Sequence, residues 1–418
     1  MATTLVSGES IAVLCELGFL TNFFTLDDAT LGQLDTGGYL DGTLLGDDVS
    51  PYIQQLSITR GRTDPLSNFN AGTCSIVLNN NDRRFDPINQ ASPYYDVAAG
   101  RSGVTPRRKV TITSGGLPLF VGRITDIDID YDFTNSTVTF AVADDFVLLA
   151  NANVASALTP AAELSGTRVS YLLDLPEIAY SATTRSIAAG TSTLGTYQID
   201  ANTNALTYLQ KIAESEQGLC FIAADGDLTF TDRLSATFAT IAATFSDTGT
   251  DIPYQTLSVL YGQEQLYNRV QATVVSGAVQ SVDDASSQTE FGVSTFAIDN
   301  LLLSSDAEAL ALATSLVNTY SEPVYRFDDL TVSVSSLSAP NRAIVIGLEI
   351  GDVVAITRTY NTGTPASTTQ NYAVERIQHS LTASSHTVTF GLRVASILYQ
   401  FLLDDVTFGV LDSNNALV

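Results

Sequence analysis

The chain has 418 residues, with 45 acidic against 19 basic side chains and a formal net charge of −26. At 45% hydrophobic it holds enough apolar material for several cores, which excludes a disordered chain. Acidity of this size repels phosphate and excludes a surface dominated by a nucleic-acid grip; it suits a partner that must pass along without sticking.

The first fifty residues mix a short apolar stretch, IAVLCELGFLTNFF, with a run rich in Asp, Gly and Leu. No basic segment precedes the apolar stretch, so no signal peptide is expected. No apolar run reaches the ~20 residues that span a bilayer. From Tyr52 to Ala143 the pattern is β: Val138, Phe140 and Val142 alternate with threonines and alanines, and Ile127, Ile129 and Tyr131 alternate with Asp126, Asp128, Asp130 and Asp132. The acids predict a wet face, and the apolar set a packed one.

Between about 160 and 232 the character changes. Ser165 is the expected cap of a helix carrying Val169, Leu172 and Leu173 on one face, ended by Pro176. Asn204 is the expected cap of a second helix through Ala205, Leu209, Ile212, Ala213 and Glu216, closed by Gly218. CFIAADGDLTFTDR then predicts two strands around an Asp225-Gly226 turn. From Tyr254 to Ala395 the β pattern returns in Val270/Ala272/Val274, Leu330/Val332/Val334, Val354/Ile356 and Val388/Phe390/Leu392. One helix interrupts it, opened by a capping box at Ser305–Glu308, striped by Ala309, Ala313, Leu316, Val317 and Tyr320, and followed by Pro323. The chain therefore reads as mainly β with an α+β insertion. The expected parts are an N-terminal extension 1–50, a first β module 51–160, an α/β insertion 161–235, a second β module 236–398 with an inserted helix 305–321, and a tail 399–418.

A repeat marks the two ends. FTLDDATLGQLD at 24–35 matches FLLDDVTFGVLD at 401–412. Phe24, Leu26, Asp27, Asp28, Thr30, Gly32, Leu34 and Asp35 of the first coincide with Phe401, Leu403, Asp404, Asp405, Thr407, Gly409, Leu411 and Asp412 of the second. Apolar residues separated by Asp-rich turns are too short to hold a core, so each segment must pack on something. A docking peptide for a neighbouring subunit is one reading, two turns packed on the chain's own body another. A calcium loop fits poorly, because the Asp spacing departs from the EF-hand pattern.

Little points to chemistry. Cys15, Cys74 and Cys220 lie far apart, an odd set without metal-ligand spacing, and are expected to be small buried residues. His379 and His386, seven apart in strand and turn regions, are expected on opposite faces or different elements. No HExxH, GxSxG or Walker pattern occurs. Two glycosidase carboxylates are not excluded in so acidic a chain, but no spare module for cell-wall cleavage is expected after residue 412. No cofactor or metal is implied.

The order of motifs from Ile58 to Asp132 carries a resemblance: ITRGR, then FNAGTCSIVLNNNDRRFDPINQASPYY, then RRKVTITS and LFVGRITDIDIDYD. This resembles minor tail proteins of long-tailed bacteriophages, in which an RGR segment precedes a strand with an Asn/Asp-rich turn, an RFDP element and a later GR-containing strand. GTRVSYLLDLPEI, ALTYLQKIAESEQGLCFIAADGDLTFTDR and LYNRVQATV are similar too, so the likeness covers most of residues 20–412. It implies a tail-tip or baseplate hub: two β-barrel modules with a small inserted α/β domain, assembled as a homotrimer that adapts a six-fold tail tube to three-fold tip proteins and leaves a channel for DNA in transit. Distal tail or tail-tube, tape-measure and tip or fibre proteins are the implied neighbours, in the virion after synthesis in the host cytoplasm. The alternatives are a host-receptor-binding tail protein and, further off, a cell-wall-degrading tail enzyme. Arg60, Arg62, Asp82, Arg83, Arg84, Asp86 and Pro87 are read as turn-forming residues with a ring contact, and phosphate binding by the arginines is the other option. Arg107, Arg108 and Lys109, the one tight basic cluster, suit an acidic neighbouring subunit at least as well as DNA.

Overall fold

The computed structural model describes residues 9–18, 46–132, 135–235 and 240–395, and the backbone of Tyr399–Gln400 and Asn415–Ala416. Strands dominate. Thirteen of them share one sheet, in the spatial order Thr256–Leu260, Arg326–Ser333, His386–Val394, Ser367–Thr382, Ile53–Gly61, Thr73–Asn79, Thr137–Ala143, Leu117–Asp130, Lys109–Ser114, Ile11–Cys15 and Asp47–Asp48, with Val353–Thr359 and Ile241–Ser246 branching from Ser367–Thr382. The alternation read from sequence is the cause: Leu56 and Ile58, Ile76 and Leu78, Val138 and Phe140, and Val388 and Phe390 turn inward and are buried, while their neighbours face out. Asp126, Asp128 and Asp130 do lie exposed beside half-buried Ile127 and Ile129, but Tyr131, expected on the packed face, is exposed.

The pairings, joined at their ends by short stretches of chain, trace two circuits. In the first, Ile11–Cys15 takes Asp47–Asp48 on its outer edge, and a single 3-10 turn at Ser50–Tyr52 delivers the chain to Ile53, the strand that begins the series. Val49 N donates to Val13 O at 3.0 Å, and Val13 N donates to the Ser50 hydroxyl at 2.8 Å. In the second, the leading half of Ser367–Thr382 pairs with Val353–Thr359, which holds Ile241–Ser246 in parallel. Ile252 then bridges to Phe245, and the chain runs on into Thr256–Leu260 at the far end of the sheet. The trailing half of Ser367–Thr382, Arg376 to Thr382, pairs with Gly61 to Gln55 and joins the two circuits in one ladder. A register shift between Val374 and Arg376 separates its two halves.

Two α/β units sit outside this sheet. The first holds helices Ser165–Leu173 and Ala205–Glu216 and a three-stranded sheet, Arg185–Ile187, Leu228–Thr231 and Leu219–Ile222. Asn204 caps as expected, accepting from Thr207 N at 3.1 Å. Two expected helix ends differ. Ser165 is the first helical residue rather than the cap, and its hydroxyl donates to the buried Glu216 carboxylate at 2.8 Å. The left-handed closing residue of the second helix is Gln217 (φ 56°), not Gly218. Gly218 is needed one position later for a different reason: a Cβ there would stand 2.2 Å from Thr231 O.

The second unit accompanies the Asp306–Tyr320 helix, which buries Ala309, Leu312, Ala313, Leu316 and Val317 and whose cap Ser305 accepts from Glu308 N. Val270, Ala272 and Val274 form a buried face as expected. Their strand, Arg269–Val274, pairs with Gln280–Asp283 and Thr295–Leu301 in a separate three-stranded sheet under that helix, not with the large sheet. Alternation reports which face is buried, and it is blind to which sheet buries it.

Candidate functional site

The RGR segment lies where the two strand circuits meet. Gly61 closes the ladder opposite Arg376 with φ +104°, and a Cβ there would fall 2.2 Å from Glu375 O, so only glycine fits. The arginines on either side reach into the second half of the chain. Arg62 donates through Nε to Glu375 Oε2 at 2.7 Å, and Arg393 donates to Glu375 Oε1 at 2.6 Å from the other side. Arg62 also donates to Ser67 O and lies over the Phe69 ring, 4.6 Å from its centre. Burial alone would raise the Glu375 carboxyl; the two guanidiniums outweigh it and hold the group below the ordinary glutamate value.

Arg60, buried, donates to Glu349 Oε1 at 2.6 Å. Glu349 Oε2 accepts from Ala224 N at 2.7 Å, so one carboxylate ties the first circuit, the first α/β unit and the second circuit together. Asp144, close to Arg60, accepts from Gly72 N and Phe146 N, and burial pushes it up to about 7. The seam borders a cavity of about 440 Å3 whose wall includes Arg62, Leu219, Leu316, Tyr320, Asp352 and Arg393.

The RFDP element forms a chain of turns. Arg83 N, Asp86 N, Asn89 N, Ser92 N and Tyr95 N each donate to the carbonyl three residues back, beginning at Asn80 O. Pro87 occupies the second position of the Asp86–Asn89 turn, where its restricted φ favours the bend. Asp86, buried, accepts from Ile88 N at 3.0 Å, from Tyr131 OH at 2.7 Å and from Arg83 Nε at 2.9 Å. Arg84 pairs with Asp82 through Nε at 2.7 Å and lies over the Tyr52 ring, 3.9 Å from its centre. Phe85 is the anchor: fully buried, it packs against Tyr52, Tyr94 and Phe140 with centroids 5.6 to 5.8 Å apart. All four arginines of the two motifs therefore hold carboxylates of this same chain.

His379 and His386 lie on different elements, as expected, yet the fold brings them together. They stand on the two strands of one hairpin, whose turn at 382–385 folds the chain back and resets the face parity that a continuous strand would keep. His379 Nδ1 lies 3.1 Å from His386 Nε2, and His386 Nδ1 lies 2.7 Å from Glu9 Oε2, all three residues being buried. Burial, then His386 and Arg60, push the His379 imidazolium well below its usual value, so the ring is held neutral. In the insertion, Glu216 is likewise buried. Burial would raise it, but the hydroxyls of Thr191 and Ser165 and Ser192 N hold it lower.

Glu9, Glu349, Glu375 and Arg393 were not singled out by sequence. Each is one polar residue whose partner lies far along the chain, and no spacing announces such a pair. The three cysteines are buried and free, as read from their scatter. Among the described residues no cluster of His, Cys, Asp and Glu is arranged to hold a metal ion, and no helix is long and apolar enough to cross a membrane.

The two end motifs carry the docking residues expected from the repeat. Phe24, Leu26, Asp27, Asp28, Gly32, Leu34 and Asp35 of the first motif lie outside the described residues. So do Phe401, Leu403, Asp404, Asp405, Gly409, Leu411 and Asp412 of the second. The charged groups of the seam hold one another, with the buried Arg60 Nε left without a hydrogen-bond partner.

No family model matches this sequence, and no curated protein matches it. Solved structures do match in shape. The tail protein from Neisseria meningitidis MC58 superposes with a TM-score of 0.57 over 93% of this chain and 98% of its own, at 11% identity. The chain has the fold of a tail protein. The 43 kDa tail protein of prophage MuSo2 from Shewanella oneidensis gives 0.56 over the same shares, 93% and 98%, at 12% identity. Such likeness across nearly the whole of both chains means that the two circuits and both α/β units belong to one shared architecture.

Proposed function

We propose that this chain is a structural hub at the distal tip of a phage tail: a homotrimeric ring that adapts a six-fold tail tube to three-fold tip proteins and leaves a channel for DNA. The fold shared with two tail proteins along nearly their full length carries the reading. The two strand circuits support it. In each, a short stretch of chain rather than a strand pairing links the end strands; each is read as one barrel module, and three chains would present six modules around an axis. The RGR clasp has a role in this scheme, since two modules locked by buried arginine pairs turn as one body. Acidity suits a lumen, where phosphates pass without capture. Asp126, Asp128 and Asp130 are exposed candidates for such a lining.

The ring's neighbours are taken to be the distal tail protein or tail tube, the tape-measure protein and tip or fibre proteins. The paired end segments are proposed as docking peptides for one of these, with Phe24, Leu26 and Leu34 and their counterparts Phe401, Leu403 and Leu411 as the apolar contacts. Asp27, Asp28 and Asp35, matched by Asp404, Asp405 and Asp412, would then flank those contacts, and Gly32 and Gly409 would permit the bend. The role is structural rather than enzymatic and needs no cofactor. A cryo-EM reconstruction of the assembled tail tip tests it: three copies around the axis are expected. An off-axis position, or one at a fibre end, overturns the hub reading in favour of receptor binding.

A further inference from the structure

The segment from Arg83 to Lys109 is electrostatically unlike the rest of the chain. It carries six bases, Arg83, Arg84, Arg101, Arg107, Arg108 and Lys109, against two acids, Asp86 and Asp96, in a protein of net charge −26. Within it Arg83 and Arg84 pair with Asp86 and Asp82, and Arg101 and Arg108 are also engaged; most bases elsewhere are consumed by internal ion pairs too, among them Arg60, Arg62, Arg168, Arg185, Arg376 and Arg393. Arg107 and Lys109 have no side-chain partner among the described residues. They stand at the start of the Lys109–Ser114 strand, with Arg107 held in place by its N–H to Ile124 O.

The same segment is stiff and apolar at its tips. Five consecutive turns, the buried Phe85 and the Asp86 bonds order it as far as Tyr95, and the hairpin of Tyr95–Asp96 with Arg101–Ser102 carries Val97. Yet it exposes Ile88 by 78% and Val97 by 70%, more than any other large hydrophobic side chain among the described residues. A loop that is pre-ordered and still leaves its aliphatic groups in water gains nothing from them within the monomer. Such groups bind well, because ordering costs have already been met, and apolar anchors inside a polar rim are the usual anatomy of an interface.

We propose that this loop is the surface through which one copy of the chain docks onto the acidic body of a second copy. Ile88 and Val97 are the apolar anchors, and Arg107 and Lys109 form the cationic rim. The inference rests on the ring reading above and names the surface that makes the ring contact. Charge selects the occupant: a positive loop on a strongly acidic chain finds its complement on another copy of that chain. A contact between two different patches is also the kind that closes into a ring.

Light scattering of the full-length protein over a concentration series tests this, with thermal unfolding of each variant as the folding control. The wild type is expected to associate. The Ile88→Ser/Val97→Ser variant should do so about tenfold or more weakly, the loss typical of interface anchors. Arg107→Glu/Lys109→Glu should associate weakly at low salt and lose the salt dependence of the wild type. Wild-type association that neither pair alters overturns the loop assignment and leaves the ring reading standing. A wild-type chain that stays monomeric overturns both. A short DNA duplex retained by the wild type and lost by the charge-reversed variant, with self-association unchanged, overturns the protein contact in favour of phosphate.

Discussion

Arg60 and Arg62 find their carboxylates 289 and 313 residues away, whereas Arg83 and Arg84 find theirs at three and two residues' distance. The first pair is buried and joins halves of the fold that meet only when the chain is complete. The second lies in a surface loop and serves to preform it. Arg62 stands 10% exposed and Arg83 51%, which places the same guanidinium–carboxylate pair in two regimes. Buried pairs become costly when one partner is removed, because the other charge is stranded. Solvent-facing pairs lose little, because water takes over.

The largest expected effect follows at the seam. Glu375→Ala strands Arg62 and Arg393 and should cost about 3–5 kcal/mol in denaturant unfolding. A loss below about 1 kcal/mol would break the comparison, showing that the seam is no better than a surface pair. Next comes the loop's internal carboxylate: Asp86→Ala removes bonds to Arg83, Tyr131 and Ile88 N and should cost about 1.5–3 kcal/mol, since Arg83 can turn to water.

Acidity sharpens the contrast, because the buried groups titrate against the fold. His379 is depressed below 6.5, so its contribution is complete above that pH and is lost as pH falls beneath it. Glu375 is depressed below 4.5, so its contribution is complete above that value and is lost on further acidification. Asp144, raised from 3.8 to about 7, opposes them: its contribution is present below 3.8 and fades as pH rises through about 7. Asp144 cancels when two proteins sharing it are compared. A His379→Gln variant should therefore show a flatter fall of melting temperature just below pH 6.5 than the wild type. An identical slope would mean that the Glu9–His386–His379 chain absorbs the proton without cost. The smallest effect is expected for Ile88→Ser, within about 0.5 kcal/mol of the wild type in thermal unfolding, because the Ile88 side chain is largely in water within the monomer.

The strands at Thr137–Ala143 and His386–Val394 and the helices from Ala205 and Asp306 are legible in local sequence, because alternation and capping are written in neighbouring residues. The RFDP turns are legible for the same reason: Asp86 meets Arg83 and Ile88 within three positions. The remaining features depend on the assembled fold. That Arg269–Val274 leaves the large sheet, that Gln55–Gly61 pairs with Arg376–Thr382, that Glu375 lies between Arg62 and Arg393, and that a turn puts His379 beside His386 are matters of which distant segments meet. Meeting is decided by the packing of whole faces. Any apolar strand face suits many partners in sequence, and only the assembled core selects one of them.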